Sequence, residues 1–485
     1  MKRLLATAAV LALAACTTVG PNYRSPETLA PAQAPFAGAG SPAFSGDQPS
    51  GPWWRLFADP VLDDLVAQAL ANNTDLRVAA ANLARARAAL REVRSDRLPT
   101  TNIGASATTA RQPGATTGAP GGAATGELFD VGLDVGYQVD LFGRIRRGIE
   151  AARADVDAVQ AAFDVSRVTV AAETTRAYAD ACSAGSQLAV ARRSVGVQQR
   201  TFDLTRRLLE GGRGTALETG QAAQLLEQTR AQIPTLEADR RTALYRLSVL
   251  TGRPPAQFPP IVANCATPPA LTRAIPIGDG ASLLRRRPDL RAAERRLAAA
   301  TARIGVATAE LYPSISLGGS IGSTAASLGN LVSGDGFRYS LGPLISWSFP
   351  NRRIARARIG QAEATADAAL AEYDGTWLGA LEETESALTR YANERDRVDI
   401  LRRARDGGAQ AARIARLRYD AGRENFQVVL EAERRLAEVE TQLAAAESLL
   451  SDNLVSLFLA LGGGWEAPAG QNPIATPSAA REGSG

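Results

Sequence analysis

The chain contains an internal duplication. Asp75-Leu76-Arg77 opens a segment that ends at Leu98-Pro99, and Asp289-Leu290-Arg291 opens one that ends at Tyr312-Pro313, with an offset of 214 residues at both ends. The echo continues downstream at a slightly shorter offset. Phe142, before Gly143-Arg144, corresponds to Phe349, before Pro350-Asn351-Arg352; Gly212-Arg213-Gly214-Thr215 corresponds to Gly422-Arg423-Glu424-Asn425, and Thr251-Gly252 to Leu461-Gly462. Two copies are too few for a solenoid, which needs at least three units to bury its faces. Each copy must therefore close against its twin or against another chain.

Within each copy the hydrophobic period changes from two to seven. From Asp130 to Leu141, Val131, Leu133, Val135, Tyr137, Val139 and Leu141 fall on one face, with Asp130, Gly132, Asp134, Gly136, Gln138 and Asp140 on the other. Such alternation predicts a strand. Its counterpart from Tyr339 to Phe349 places Tyr339, Leu341, Pro343, Ile345, Trp347 and Phe349 on one face, with Leu344 breaking the polar side. Weaker partner strands precede each, at Asn102 to Thr109 and Ser314 to Ser323, across turn-rich stretches. The expectation is one hairpin per copy, spanning 100–141 and 314–349. Strands of about ten residues with one apolar and one small polar face suit a membrane β-barrel, and the late aromatics suit an interfacial girdle. Two hairpins give four strands where such a barrel needs about eight or more, and open edges cannot face lipid. Two chains would supply eight strands and three would supply twelve, so the sequence demands an oligomer.

After each hairpin, apolar residues recur at seven-residue steps. Ile149, Val156, Phe163, Val170 and Ala177 form one register, and Leu188, Val195, Phe202 and Leu209 resume it after a step of eleven. This is a coiled-coil seam with a stutter. A helix over 144–210 is about 100 Å long at ~1.5 Å per residue. A return helix is expected over 216–250, and the second copy repeats the pair over 354–419 and 425–461. Single helices, Leu62 to Arg97 and Leu283 to Leu311, are expected before the hairpins. The copies thus occupy 61–253 and 281–462, separated by a Pro-rich connector over 254–280. A segment over 16–60 is expected to be an extended linker and 463–485 a flexible tail, both being rich in Gly, Pro, Ser and Ala.

Lys2-Arg3 followed by an apolar stretch from Leu4 to Leu13 reads as a signal peptide over 1–15, too short to span a bilayer. It ends in Leu13-Ala14-Ala15-Cys16, a lipobox pattern that makes Cys16 the candidate for acylation, palmitate included, and the mature N-terminus. Two or more acyl chains anchor a protein firmly. No apolar run of about 18 residues follows. The net charge of +4 is small for 485 residues and argues against a nucleic-acid partner. The chain has no histidine, and its remaining cysteines, Cys182 and Cys265, lie in a helical stretch and in the connector, where an oxidising periplasm permits pairing without the spacing requiring it.

With these features in hand, the mature chain resembles the outer-membrane efflux proteins of the TolC/OprM type, in their lipoprotein, NodT-like branch. The resemblance rests on Cys16-Thr17 with Val19-Gly20-Pro21-Asn22-Tyr23, on Trp53-Trp54-Arg55-Leu56-Phe57-Ala58-Asp59-Pro60, and on Asn73-Thr74-Asp75-Leu76. Asp140-Leu141-Phe142-Gly143-Arg144, Arg286-Arg287-Pro288-Asp289-Leu290 and Tyr312-Pro313 extend it. It implies a mixed fold, all-α plus membrane β-barrel. Two tandem repeats of helix, β-hairpin, long helix and helix would assemble as a homotrimer, with a twelve-stranded barrel in the outer membrane on a twelve-helix periplasmic tunnel.

The implied function is the exit duct of a tripartite efflux system, with a periplasmic adaptor and an inner-membrane pump of the RND class as partners and outer-membrane lipid around the barrel. The helix-turn-helix tips, Gly212, Arg213, Gly214 and Thr215 with Gly422, Arg423, Glu424 and Asn425, are the candidate adaptor-docking residues. Gln427 and Glu431 are the candidates for the periplasmic constriction, where an acidic ring would favour cations. Glutamate replaces the family's usual aspartate at 431, and Val428 stands where some relatives carry a second acid. A duct for ATP-driven protein secretion, or a lipid-anchored periplasmic scaffold without a pore, are the alternatives. No catalytic residues, metal or cofactor are expected: the sequence has no GxxxxGK[ST] loop, and the adjacent acids Glu382-Glu383 fall in a charged helical stretch.

Overall fold

The computed structural model describes residues 18–26, 34–47, 51–112, 124–271, 273–280, 283, 286–347, 349 and 352–462. Cys16, the signal peptide, the tip of the first hairpin and the C-terminal tail lie outside the described residues. Elements run in the order β1 (Phe44–Ser45), α1 (Pro60–Asn72), α2 (Thr74–Ser95), β2 (Thr100–Gln112), β3 (Ala124–Val139) and α3 (Arg144–Glu210). They continue with α4 (Ala216–Arg230), α5 (Gln232–Leu250), α6 (Pro260–Ala263), β4 (Ile275–Pro276) and α7 (Pro288–Ala309). The last four are β5 (Ser314–Ala325), β6 (Phe337–Ser346), α8 (Arg352–Asp420) and α9 (Phe426–Ala460). They form two compact units: Met1–Pro26, Asn82–Gln160 and Ala292–Asp374 make one, and Glu27–Ala81, Ala161–Arg291 and Gly375–Gly485 the other.

In the first unit both hairpins join one antiparallel sheet of order β2-β3-β5-β6. β3 joins the two copies, pairing with β2 from Ala124 to Gly136 and with β5 from Phe129 to Val139. The strand-to-helix junction explains the Asp-Leu-Phe-Gly-Arg motif. Asp140 accepts from the N–H groups of Ile145 and Arg146, both at 3.0 Å, so it satisfies the open first turn of α3. Gly143 holds φ +80°, and a Cβ there would fall 2.6 Å from Thr18 Cγ2. Phe142 stacks on Tyr312 with ring centroids 4.5 Å apart, joining the two hairpin bases. Below them Leu90, Ile145 and Ile149 bury a small core between α2 and α3.

The second unit holds the main core. Trp53, Leu62, Val66, Leu247, Leu388, Leu457 and Phe458 are all fully buried in it. Trp53 stacks on Phe458 at 4.7 Å. The segment read as an extended linker is therefore packed over much of its length. Phe36, Phe44 and Trp53 enter the core, β1 pairs in parallel with β4, and the Glu385 carboxylate accepts from the N–H groups of Ala37 and Gly38. The Gly and Pro content of this stretch hid three aromatic anchors. α9 is long and apolar enough to cross a membrane by length and composition, but Leu454, Val455, Leu457 and Phe458 are spent on this core.

Three expected helices differ from those observed. The helix expected from Leu62 to Arg97 breaks at Asn73, which is extended at ψ 136°. Asn73 Oδ1 accepts from the N–H groups of Asp75 and Leu76, as an N-cap, while its Nδ2 donates to the carbonyl of Leu250. The helix expected over 216–250 breaks at Ala231, because Pro234 has no N–H to continue the ladder. The helix expected from Leu283 is interrupted at Arg287. Leu283 and Arg286 are helical, with the Leu283 N–H on the Asp279 carbonyl and the Arg287 N–H on that of Leu283, and α7 begins anew at Pro288, whose fixed φ suits a first turn. Arg287 explains why that start is fixed: its guanidinium binds Asp289, Glu383 and the carbonyl of Ala460 at the end of α9.

Cys182 and Cys265 form a disulfide that ties the connector to α3. Gly185 makes room for it, since a Cβ there would meet the Cys265 carbonyl oxygen. Because Trp53 is fully buried against Phe458, Trp53→Ala is expected to cost about 3–5 kcal/mol. The check is the denaturant midpoint of the detergent-solubilised protein; an unchanged midpoint would mean that the N-terminal segment contributes nothing to the core.

Candidate functional site

The register of the sheet sorts its side chains into two chemically distinct faces. Residues directly opposite one another share a face. One face carries Ile103, Val131, Leu133, Val135, Tyr137, Ile315, Leu317, Ile321, Tyr339, Leu341 and Ile345, most of them exposed. The other carries rows of small and polar residues. Asn102, Asp134, Ser320 and Ser340 form one row, and Thr100, Gly136, Gly318 and Gly342 another. Gly104, Gly132, Gly322 and Arg338 form a third. Arg338 crosses this face to place its guanidinium on Asp130 at 2.8 Å, and Thr324 donates to the same carboxylate. Sequence reading missed this cluster because the strand was expected to begin at Tyr339, one residue after Arg338. Leu344, the exception in the alternation, lies opposite Ser316 on the polar face.

Among the described residues, the outer strands β2 and β6 each pair on one side only. A sheet with an apolar face, a wettable face and two open edges cannot be complete in lipid as a single copy.

In the second unit the two tips share one backbone design. At the end of α3 the N–H of Arg213 reaches the carbonyl of Leu208 and that of Gly212 the carbonyl of Leu209. At the end of α8 the N–H of Arg423 reaches Arg418 and that of Gly422 reaches Tyr419. Gly212 and Gly422 both hold φ +67°, which makes each a Schellman stop that glycine allows at no steric cost. Thr215 then caps α4 in a box with Glu218, and Asn425 caps α9 through Gln427 N–H. At the third tip position the copies diverge: Gly214 packs against Leu208, whereas Glu424 pairs with Arg418 at 3.3 Å. Phe426, Ala222 and Leu430 bury a joint core under the tips.

Gln427 donates to Gln221 Oε1 across the two tips. Glu431 is exposed, yet its carboxylate is engaged. Arg434 and Arg435 donate to both its oxygens, and these bonds hold it down to about 2. Any acidic ring built from Glu431 carries its counter-ions with it. Two residues on and round the helix, buried Glu433 accepts from Thr201 Oγ1 at 2.9 Å and Arg416 at 3.4 Å, linking α9 to α3 and α8. Burial raises its carboxyl above the usual range.

A second pair of acids lies higher in the same unit and was not singled out from the sequence. Asp180 on α3 and Asp452 on α9 share a hydrogen bond, flanked by core residues Ala177, Ala181 and Val455. Burial, then the neighbouring Asp452 charge, pushes Asp180 up to about 7, and burial also raises Asp452. Arg176, held by Glu173 and Ser456, is the nearby cation. Asp452 Oδ1 is buried without a partner. The seven-residue pattern shows where helices meet but not that two acids fall opposite each other.

Residues 65–253 and 281–463 match the family model of the outer membrane efflux proteins. The chain belongs to that family. It is 30% identical to Nodulation protein T of Rhizobium leguminosarum bv. trifolii over 467 residues, covering 96% of this chain and 97% of the relative. It is 32% identical to the toluene efflux pump outer membrane protein TtgF of Pseudomonas putida, covering 95% and 97%. The solved outer-membrane channel OprN superposes with a TM-score of 0.86 at 39% identity, over 93% of this chain and all of that one. The efflux-family chain is thus an outer-membrane channel protein rather than an enzyme.

Because Asp180 and Asp452 hold a proton that they would release when unfolded, the folded state is penalised as pH rises from about 4 to about 7. Stability is expected to fall across that window, and Asp180→Asn is expected to flatten the fall. Denaturant midpoints of wild type and variant at pH 4.5 and pH 8 check this; parallel profiles would discard the shared proton.

Proposed function

We propose that this protein is the outer-membrane exit duct of a tripartite efflux system. The observation that carries the reading is the four-stranded sheet with one apolar face, one small polar face and two open edges. Three copies joined edge to edge, β2 of one to β6 of the next, would close a twelve-stranded barrel. The apolar face would then meet lipid, and the Gly, Ser, Asn and Asp rows would line water. The helix pairs α3 with α4–α5, and α8 with α9, would form the twelve-helix periplasmic tunnel, one pair from each sequence copy. Acylation of Cys16 would hold the N-terminus in the same membrane.

The tips at Gly212, Arg213, Gly214 and Thr215 and at Gly422, Arg423, Glu424 and Asn425 would dock a periplasmic adaptor, and an RND-type pump would supply the energy. The matching backbone of the two tips supports this, since one adaptor motif can read both. A relative named for a toluene efflux pump supports efflux over protein secretion. Gln427 and Glu431 would line the periplasmic constriction. With Arg434 and Arg435 on the Glu431 carboxylate, that constriction is charge-balanced rather than bare acid.

Single-channel recording of the extracted protein in a planar bilayer tests both levels. Stepwise conductance is expected, and Glu431→Ala is expected to release the two arginines and move ion preference towards anions. An unaltered preference would keep the duct and remove Glu431 from its constriction. Silence from a folded protein, together with digestion of its sheet by protease in intact membranes where a barrel would be shielded, would replace the duct with a lipid-anchored periplasmic scaffold.

A further inference from the structure

On the apolar face of the sheet, Gly319 leaves a gap in an otherwise continuous aliphatic surface. Pro99, Val135, Tyr137, Leu317 and Leu341 wall it, giving a groove of about 340 Å³. Pro99 and Tyr137 put the groove at the end of the sheet where β3 runs towards α3.

The N-terminal segment of the same unit is strapped to the junction of β3 and α3, near that end of the sheet. Val19 N–H donates to the Phe142 carbonyl at 3.2 Å, and Thr18 lies against Gly143. Arg147, buried on α3, holds this strap by donating to the carbonyls of Val19 and Gly20 and to Asn22 Oδ1. Gly20 lies directly on Gly305, where a side chain at either position would clash, and Tyr23 donates to Glu294 at 2.9 Å. The strap therefore fixes Thr18 against Gly143, which is only six residues along the chain from Tyr137. Six extended residues span at most ~20 Å. Two residues from Thr18 back to Cys16 add ~7 Å of reach, and an acyl chain about half the ~30 Å hydrocarbon core adds ~15 Å.

We propose that the groove around Gly319 is the seat of an acyl chain carried by this protein's own Cys16. The inference rests on the reading above, in which this face meets lipid and Cys16 is acylated. Between apolar surfaces in a membrane there is no hydrophobic drive, so packing decides the contact. A single flexible chain fills a groove that lacks a side chain, and the strap fixes Thr18 at a distance that the two residues back to Cys16 and an acyl chain can cover. Arg147 is then a positioning residue for the lipid as well as for the strap.

The test uses the full-length protein in its own outer membrane. Cells are fed an alkynyl palmitate with a mid-chain diazirine, membranes are irradiated, and digested peptides are read by mass spectrometry. A cross-link between the Cys16 lipopeptide and the peptides carrying Leu317 or Leu341 is expected. Gly319→Leu, whose Cβ has ordinary contact room beside Leu341, is expected to lower its yield about ten-fold by filling the seat. Gly318→Ala, on the polar face, is expected to leave it unchanged. Lipopeptide cross-links to phospholipid alone, phospholipid tails in the groove, an undiminished yield in Gly319→Leu, or an unacylated Cys16 would each overturn the proposal. Conductance from the same preparation shows separately whether the duct reading stands.

Discussion

Backbone hydrogen bonding in a medium without water governs this chain. Every N–H and C=O of a strand in hydrocarbon must find a partner on a neighbouring strand. One copy satisfies the inner strands β3 and β5 and leaves one side of β2 and of β6 open. The alternation that puts Val135, Leu317 and Leu341 on one side and Gly136, Gly318 and Gly342 on the other follows from the same strands. The open edges and the two contrasting faces thus belong to the same four strands.

The helical unit solves a different problem, how to stop and turn very long helices at defined points. It does so with reused parts. Gly212 and Gly422 end α3 and α8 with the same pair of hydrogen bonds, and Thr215 and Asn425 restart the chain two residues after each arginine. Asp59, Asn73, Asp140 and Arg287 fix further helix ends by caps or carbonyl contacts. Many motif residues that are distinctive in the sequence are such terminators, and their distinctiveness comes from backbone geometry rather than from chemistry on a substrate.

The periodic parts of the fold were legible in the sequence. A period of two over Asp130 to Leu141 and sevens from Ile149 to Ala177 each reflect one repeating contact, so they survive without tertiary knowledge. Leu209, at the end of the seam, is exposed nonetheless, because the helix there runs out to the tip. What was not legible depends on single long-range contacts. Trp53 lies in a Gly- and Pro-rich stretch whose composition reads as linker, and its partner Phe458 is some four hundred residues away. Asn73 and Pro234 break helices whose apolar pattern runs on through them. At the candidate constriction the sequence displays an acid at position 431, but its engagement by Arg434 and Arg435 depends on side-chain placement that spacing only hints at.

The pairing of β1 with β4 has a consequence for how the chain acquires its structure. Phe44 lies beside Ile275, so an early segment waits for a partner made more than two hundred residues later. Contacts of such separation form late, since loop closure must precede any gain from them. Phe44 thus waits for Ile275, and Trp53 for Phe458 near the end of the second copy. The span of synthesis over which these aromatic surfaces lack their partners is therefore set by nearly the whole chain and not by its first copy alone.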